Sequence, residues 1–224
     1  MLLLDNYELL PTGAIKQINV KPFVYDPKYV AERYDAYGVL CDMMSYLRYG
    51  YIIASIQEIP NSVLDVGYGN GSFLKICKEA GIRTYGADVS DYPLLHGEVI
   101  RLNDFDLSQH FKLVTFFDSL EHFQNIDFLS KLNCDYIVIS VPHCHYNWIL
   151  SQDGADAAQE YFKNWKHRRP DEHIWHFDLS SLNKTMEDCG YTHMISSSVE
   201  DIIRKPVNSY GYPNILTSIF KKRK

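Results

Sequence analysis

Three glycines at alternate positions, Gly67, Gly69 and Gly71, follow a short apolar run containing an acid, Asp65, in "VLDVGYGNGSFL". Glycine tolerates a tight strand-to-helix turn and leaves no side chain to block a ligand. A helix starting just behind the loop adds free amide donors and a positive dipole end. A second acid, Asp88, lies 23 residues beyond Asp65, at the end of "RTYGADVS". A carboxylate at that distance can accept both hydroxyls of a ribose. Loop and acid together imply a nucleoside-bearing ligand. The spacing is G-x-G-x-G, not the G-x-G-x-x-G of dinucleotide sites.

The elements that must hold these residues follow from the hydrophobic pattern. "SVLDVG" reads as a short buried strand, and "GSFLKICKEAG" as a helix with Phe73, Leu74, Cys77 and Ala80 on one face. "RTYGADVS", "GEVIRLND", "FKLVTFFDS" and "CDYIVISVP" read as further strands, the last almost unbroken in apolar residues, as a strand covered on both faces should be. "DLSSLNKTMEDCG" has a polar N-cap and a glycine at its end, and "YTHMISSSV" with "NILTSIFKK" completes the chain as a strand pair. Strands alternating with helices predict an α/β fold, a Rossmann-like, mostly parallel sheet with helices on both faces. Ligands of such sheets bind beyond the carboxyl ends of the strands, where the candidate residues fall. Residues 1–60 are expected to be a helical N-terminal extension or lid over a domain spanning 61–224, with Tyr34, Tyr37, Tyr46, Arg48 and Tyr49 available to close over the ligand.

Taken in order and spacing, these motifs resemble those of the class I S-adenosylmethionine-dependent methyltransferases, in their small-molecule branch. "VLDVGYGNGSFL" is similar to the first motif, "GADVS" to the second and "VTFFDSLEHF" to the motif after the fourth strand. "DEHIWHFDLSSLNKTMEDCGY" is similar to a later histidine-rich turn and helix, so the resemblance runs from about Ser62 to Lys222. It implies a seven-stranded sheet with an antiparallel last strand and S-adenosylmethionine as cofactor. It also implies that Asp65, Gly67, Tyr68, Gly69 and Gly71 hold the methionine end, Asp88 the ribose, Asn103, Asp104 and Phe105 the adenine, that Phe117 and Asp118 line the cofactor near the methyl group, and that Val89 belongs to the cofactor-binding set. Tyr68 departs from the small residue commoner at its position.

Methyl transfer from a sulfonium mainly requires a positioned acceptor and exclusion of water, and a hydroxyl acceptor gains from a general base. His122, in "DSLEHF", is the first candidate for that role, or for orienting the acceptor. "PHCHYNW" and "DEHIWHF" hold His143, Cys144, His145, His173 and His176, a set able to bind zinc if the segments meet. No spacing among them is diagnostic, so an aromatic substrate lid with Trp148, Trp165 and Trp175 is expected instead, with His145 and His173 lining the acceptor pocket. "DSLEH" also resembles a D/E-x-x-E-H pattern that binds a divalent ion in some quinone-ring methyltransferases, through Asp118, Glu121 and His122. The same letters recur without metal, so no metal ligand is assigned. Ser151 to His173 reads as an insertion that shapes the acceptor site, with Arg168 and Arg169 available to an anionic acceptor.

The 224 residues carry a net charge of −6, which speaks against a nucleic-acid partner gripped along its backbone. The Asn- or Asp-Pro-Pro-aromatic motif of amino-methylating nucleic-acid enzymes is absent after "VTFF", where the sequence reads "DSLE". The acceptor is therefore expected to be a small molecule or glycan, methylated at oxygen. A nucleic-acid or protein methyltransferase and a non-catalytic cofactor-binding module are the alternatives. Five scattered cysteines without a C-x-x-C pair imply free thiols in a reducing compartment. "MLLLDNYELL" is too short and acidic for a secretory signal and no stretch is apolar enough to span a bilayer, so a cytoplasmic location is expected. Oligomeric state stays open.

Overall fold

The apolar runs around the glycine loop form the centre of a seven-stranded sheet. In the computed structural model, residues 2–4, 6–25, 28, 31–32, 38–90, 92–100, 108–204 and 211–223 are described. In chain order the elements are β1 (Leu2–Leu4), β2 (Tyr7–Leu9), β3 (Ile15–Gln17), α1 (Val39–Ile56), β4 (Ser62–Val66), α2 (Ser72–Glu79), β5 (Arg83–Ala87), β6 (Glu98–Val99), β7 (Phe111–Phe117), β8 (Cys134–Pro142), α3 (Tyr146–Asp153), α4 (Ala155–Asn164), β9 (Trp175–His176), α5 (Leu179–Asp188), β10 (Tyr191–Ser197), α6 (Asp201–Arg204) and β11 (Ile215–Lys222).

The large sheet has the order β10-β11-β8-β7-β4-β5-β6. Strands β4 to β8 pair in parallel, while β11 runs antiparallel to both β8 and β10. This is the Rossmann-like α/β sheet with an antiparallel last strand that the motifs implied. Period-two alternation fills both faces. From β8, Ile137, Ile139 and Val141 enter one core with Leu182 and Met186 of α5, while Tyr136 and Val138 enter the other with Phe73, Leu74 and Cys77 of α2 and Ile52 of α1. Helix α5 starts at a capping box, Asp178 accepting from the Ser181 amide at 2.7 Å while the Ser181 hydroxyl accepts from the Asp178 amide at 3.0 Å.

The N-terminal segment corrects the expected helical preface. Residues 2–17 form the meander β1-β2-β3, which β9 extends into a second, four-stranded sheet. Each strand has only three residues, too few to display an alternating pattern that would distinguish it from a helix. The meander is held by a third core in which Tyr7 and Ile15 meet Tyr146, Phe162 and Trp165 of the segment after β8. Helix α1 meets the expectation of a helix in this region, and Tyr34 and Tyr37 lie outside the described residues.

Candidate active site

The glycine loop joins β4 to α2 with all three glycines at positive φ: 83° at Gly67, 56° at Gly69 and 74° at Gly71. At Gly67 the requirement is also steric, since a Cβ there would meet the Ser119 Cβ at 2.5 Å. The Gly67 amide donates to the Ala87 carbonyl at 2.6 Å, locking the loop to the end of β5. Asp88 follows directly. Its carboxylate accepts from the Gly69 amide at 3.0 Å and the Ser90 amide at 2.8 Å, so the acid and the loop form one unit. Asp65 is 3% exposed and accepts from the Thr115 hydroxyl at 2.7 Å. Burial pushes its carboxyl up to about 7, against the opposing pull of the Thr115 hydroxyl and Arg48.

At the end of β7, Phe117 packs edge-to-face on Phe73 with 4.9 Å between centroids, and the Arg48 guanidinium lies over its ring at 4.1 Å. Asp118 next to it has φ of 52° and turns its carboxylate to Arg48 at 3.3 Å and to Arg204 at 2.9 Å. Behind them Glu200 is fully buried. It receives Arg48 through Nε at 2.8 Å and Nη2 at 2.9 Å, Arg204 at 2.8 Å and the Ser140 hydroxyl at 2.7 Å. Burial alone would push the Glu200 carboxyl up, but Arg48 and Arg204 outweigh it and hold the group below the usual carboxylate range. This network ties α1 and α6 to the strand ends. Sequence reasoning missed Glu200 and Arg204, which sit in the polar stretch "SVEDIIRKP" without any motif spacing.

A cavity of about 840 Å³ opens over these strand ends. Asp65, Gly67, Tyr68, Gly69, Asp88, Val89, Phe117 and Asp118 of the expected cofactor set line it; Asn103, Asp104 and Phe105 lie outside the described residues. Gly71 sits immediately behind, as N-cap of α2. Tyr68, the unusual loop residue, donates its hydroxyl to the Tyr92 carbonyl at 2.6 Å and so braces the loop from the side of β5. The opposite wall comes from residues 20–25, from His122 and Phe123, and from Lys166 and His167.

His122 belongs to a 3-10 turn, Leu120–His122, and its Nδ1 lies 2.8 Å from the Glu172 carbonyl and 2.7 Å from the Tyr25 hydroxyl. A carbonyl only accepts, so this assigns the imidazole proton to Nδ1. The other two expected histidines do not line the cavity. His145 donates Nε2 to the Pro213 carbonyl at 2.8 Å, and His173 donates Nδ1 to the His167 carbonyl at 2.8 Å. Burial pushes His173 down to about 2 and lowers His145, so both stay neutral. His145 instead stacks with His143 and Tyr212, at 4.1 and 4.9 Å between centroids.

The expected tryptophan lid is not assembled. Trp165 lies in the core under the small sheet, Trp175 donates Nε1 to the Phe123 carbonyl at 2.7 Å, and Trp148 is half exposed on α3. Arg168 lies over the Tyr7 ring and Arg169 pairs with Glu172 at 3.2 Å; among the described residues the lysine and arginine side chains on the cavity wall are Lys21, Arg48, Lys166 and Arg204. Asp118, pulled to the arginines, does not join Glu121 and His122 in the three-residue divalent-ion pattern that its spacing resembled.

Residues 46–196, the stretch holding the loop, both acids and the 3-10 turn, match a family model described as a methyltransferase domain. The chain belongs to the methyltransferase domain family. Family and sheet order make it an S-adenosylmethionine-dependent methyltransferase of the class I architecture, the enzyme class and cofactor the motifs implied.

Solved methyltransferases share the fold at low identity. One is the 1,6-didemethyltoxoflavin-N1-methyltransferase of Burkholderia thailandensis with bound 1,6-didemethyltoxoflavin and S-adenosylhomocysteine, 14% identical over 98% of this chain and 100% of that one, TM-score 0.56. A second is the plantazolicin methyltransferase BpumL with a triazolic desmethylPZN analog and S-adenosylhomocysteine, 14% identical over 88% and 91%, TM-score 0.55. A third is the magnesium protoporphyrin IX methyltransferase of Synechocystis PCC 6803 with bound S-adenosylhomocysteine, 15% identical over 81% and 84%, TM-score 0.50. Among curated proteins, none matches the sequence. No helix among the described residues of this methyltransferase is long and apolar enough to cross a membrane.

Proposed function

We propose that this methyltransferase transfers the S-adenosylmethionine methyl group to an oxygen of a small molecule or glycan-type acceptor held between the glycine loop and the His122 wall. The observation that carries the reading is a cavity lined on one side by Asp65, the glycine loop and Asp88 and on the other by Tyr25, His122 and Lys166. Its volume, about 840 Å³, suits a nucleoside-sized cofactor with a small acceptor beside it. The solved neighbours named above with 1,6-didemethyltoxoflavin and with a desmethylPZN analog support a small acceptor.

The cofactor roles follow from the chemistry of each group. The loop amides and Asp65 receive the methionine end, Asp88 the ribose hydroxyls, and Phe117 packs beside the sulfonium. In the transfer the acceptor oxygen would attack the methyl carbon in line; the carbon–sulfur bond would break with its electron pair staying on sulfur, leaving S-adenosylhomocysteine, and the hydroxyl proton would leave to solvent. Enclosure by residues 20–25 and α1 keeps water from the methyl group. His122, fixed through Nδ1 by the Glu172 carbonyl, orients the acceptor hydroxyl. Location in a reducing compartment fits five free cysteines.

Calorimetric titration with S-adenosylmethionine, S-adenosylhomocysteine and NAD tests the reading. The adenosyl ligands bind and NAD does not, and Asp88→Ala weakens binding at least tenfold, since it removes charge-assisted bonds to ligand and loop together. Binding of NAD alone, or adenosyl binding indifferent to Asp88→Ala, would sink it.

A further inference from the structure

The 3-10 turn Leu120–His122 and the turn before β9 are stitched together by the Ile174 amide donating to the Glu121 carbonyl at 2.7 Å and by His122 Nδ1 donating to the Glu172 carbonyl at 2.8 Å. Those bonds bring Glu121, His122 and His173 side by side. One ligand atom from each, a carboxylate oxygen and two imidazole nitrogens, lies within 4.8 Å of the others. Glu121 is 1% exposed and His173 4%; the His122 and His173 rings meet edge-to-face at 4.8 Å. Asp118, the residue that spacing alone would have added, is turned away to the arginines.

We infer that Glu121, His122 and His173 form a binding site for a divalent first-row transition ion directly behind the cavity wall that His122 lines. Three observations combine. The donors come from two segments about 50 residues apart in sequence yet converge within one coordination sphere. Each imidazole is fixed from behind in the same way, Nδ1 donating to a main-chain carbonyl: His122 to Glu172 and His173 to His167, both at 2.8 Å. That places the lone pair of each neutral ring on Nε2, and the His122 Nε2 lies on the Glu121 side, 3.9 Å from Oε1. A backbone carbonyl behind each ligating histidine is the supporting arrangement that metal sites use to fix tautomer and ring direction. Finally, an ion there would set positive charge against a deeply buried carboxylate.

The donor set decides the class of ion. Two imidazoles and one carboxylate suit zinc, cobalt, manganese or ferrous iron, and suit magnesium or calcium poorly, since those prefer all-oxygen shells. Ligand atoms about a tetrahedral ion stand roughly 3.4 Å apart, so the three side chains close by about 1 Å on binding. Three protein ligands leave at least one position open, and His122 is the ligand that also lines the cavity. The inference deepens the proposed function and rests on it in one respect: an acceptor hydroxyl bound in the open position would lose its proton more readily and present its oxygen toward the methyl donor. The acceptor class it selects is one whose methylated oxygen is an ionisable hydroxyl.

Full-length protein is stripped with a chelator and titrated with Co²⁺, following the visible d–d band, then with Zn²⁺ as competitor; S-adenosylhomocysteine binding is measured by calorimetry on the same samples. The site predicts one equivalent of cobalt, displaced by zinc, with affinity at least tenfold weaker in His173→Asn and in Glu121→Gln, each first checked for an unchanged melting transition. The wild-type titration is decisive even if a variant does not fold. No cobalt band, or binding to the wild type that both folded variants retain in full, overturns the site as adventitious surface binding. S-adenosylhomocysteine binding without cobalt binding removes the metal site and leaves the methyl-donor reading standing; cobalt binding without S-adenosylhomocysteine keeps the site and removes the role given to it in methyl transfer.

Discussion

The two walls of the cavity are built on different principles. The wall under the glycine loop is made by adjacent strand ends and by main-chain groups: Gly67 bonds Ala87, Gly69 and Ser90 bond Asp88, and Ser119 donates to the Val66 carbonyl at 2.6 Å. The facing wall is made by side chains reaching across long sequence distances. Tyr25 meets His122, Gln17 donates to Asp171 at 2.9 Å, and Lys166 and Asn214 come from still other segments. A wall of backbone leaves few side chains free to vary without breaking the turn. A wall of side chains from separate loops can be recomposed piece by piece while the sheet stays as it is. Under the proposed function, the cofactor falls to the backbone wall and the acceptor to the side-chain wall.

The sharpest way to break the comparison is Gly67→Ala. A Cβ at φ of 83° would collide with Ser119 at 2.5 Å, so the loop must move. S-adenosylhomocysteine binding should become unmeasurable by calorimetry, with stability lowered by roughly 2–4 kcal/mol in urea. Binding within threefold of wild type would mean that the backbone wall is less rigid than its bonds imply.

Glu200→Gln comes next. It strips the fully buried charge that holds Arg48 and Arg204, and should lower stability by about 2–3 kcal/mol, below the full buried-pair range because both arginines keep Asp118. Chemical denaturation reads this directly; a change under about 0.5 kcal/mol would show that Asp118 suffices.

Asp65 sharpens the comparison through pH. Its carboxyl, raised to about 7, binds a proton more tightly when folded than unfolded. The contribution of Asp65 to the stability of the ligand-free protein should therefore be full below about pH 4 and be lost as pH rises through about 7. A cationic methionine end needs the ionised acid, so S-adenosylmethionine affinity should rise about tenfold from pH 6 to pH 8 and stay flat in Asp65→Asn. A flat wild-type profile by calorimetry would remove Asp65 from that role. The smallest effect belongs to the side-chain wall: Tyr25→Phe should raise acceptor KM by about three- to tenfold and leave S-adenosylhomocysteine binding within twofold.

How much of this could be read beforehand follows from the same contrast. The loop, Asp65 and Asp88 were legible because the chemistry demands fixed residue types at short spacing around one strand-to-helix turn. A seven-stranded, mostly parallel sheet with an antiparallel last strand was legible once the motifs were seen in sequence; the strand order was not read beforehand. Of the three histidines expected at the acceptor, His122 lines the cavity, whereas His145 and His173 do not; all three rings are held by main-chain carbonyls. Nothing in a histidine's neighbours along the chain states which nitrogen a distant carbonyl will take. The meander of residues 2–17 was missed because its partner, β9, lies some 160 residues away and is itself two residues long. Glu200 was missed because its countercharges arrive from α1, about 150 residues earlier, as well as from α6 four residues on.

The strand order carries a further consequence, for synthesis. Strand β10 is made before β11, yet β11 is its neighbour in the sheet and also closes the open edge of β8. On the ribosome the nascent chain must hold back until residues 215–222 emerge, with the apolar edge of β8 uncovered in the meantime. The first strands wait as well, because β3 pairs with residues 175–176. Both flanks of the molecule are thus completed late, after a parallel centre that can collapse early, and it is in this interval that a chaperone or an intermolecular strand would find its opening.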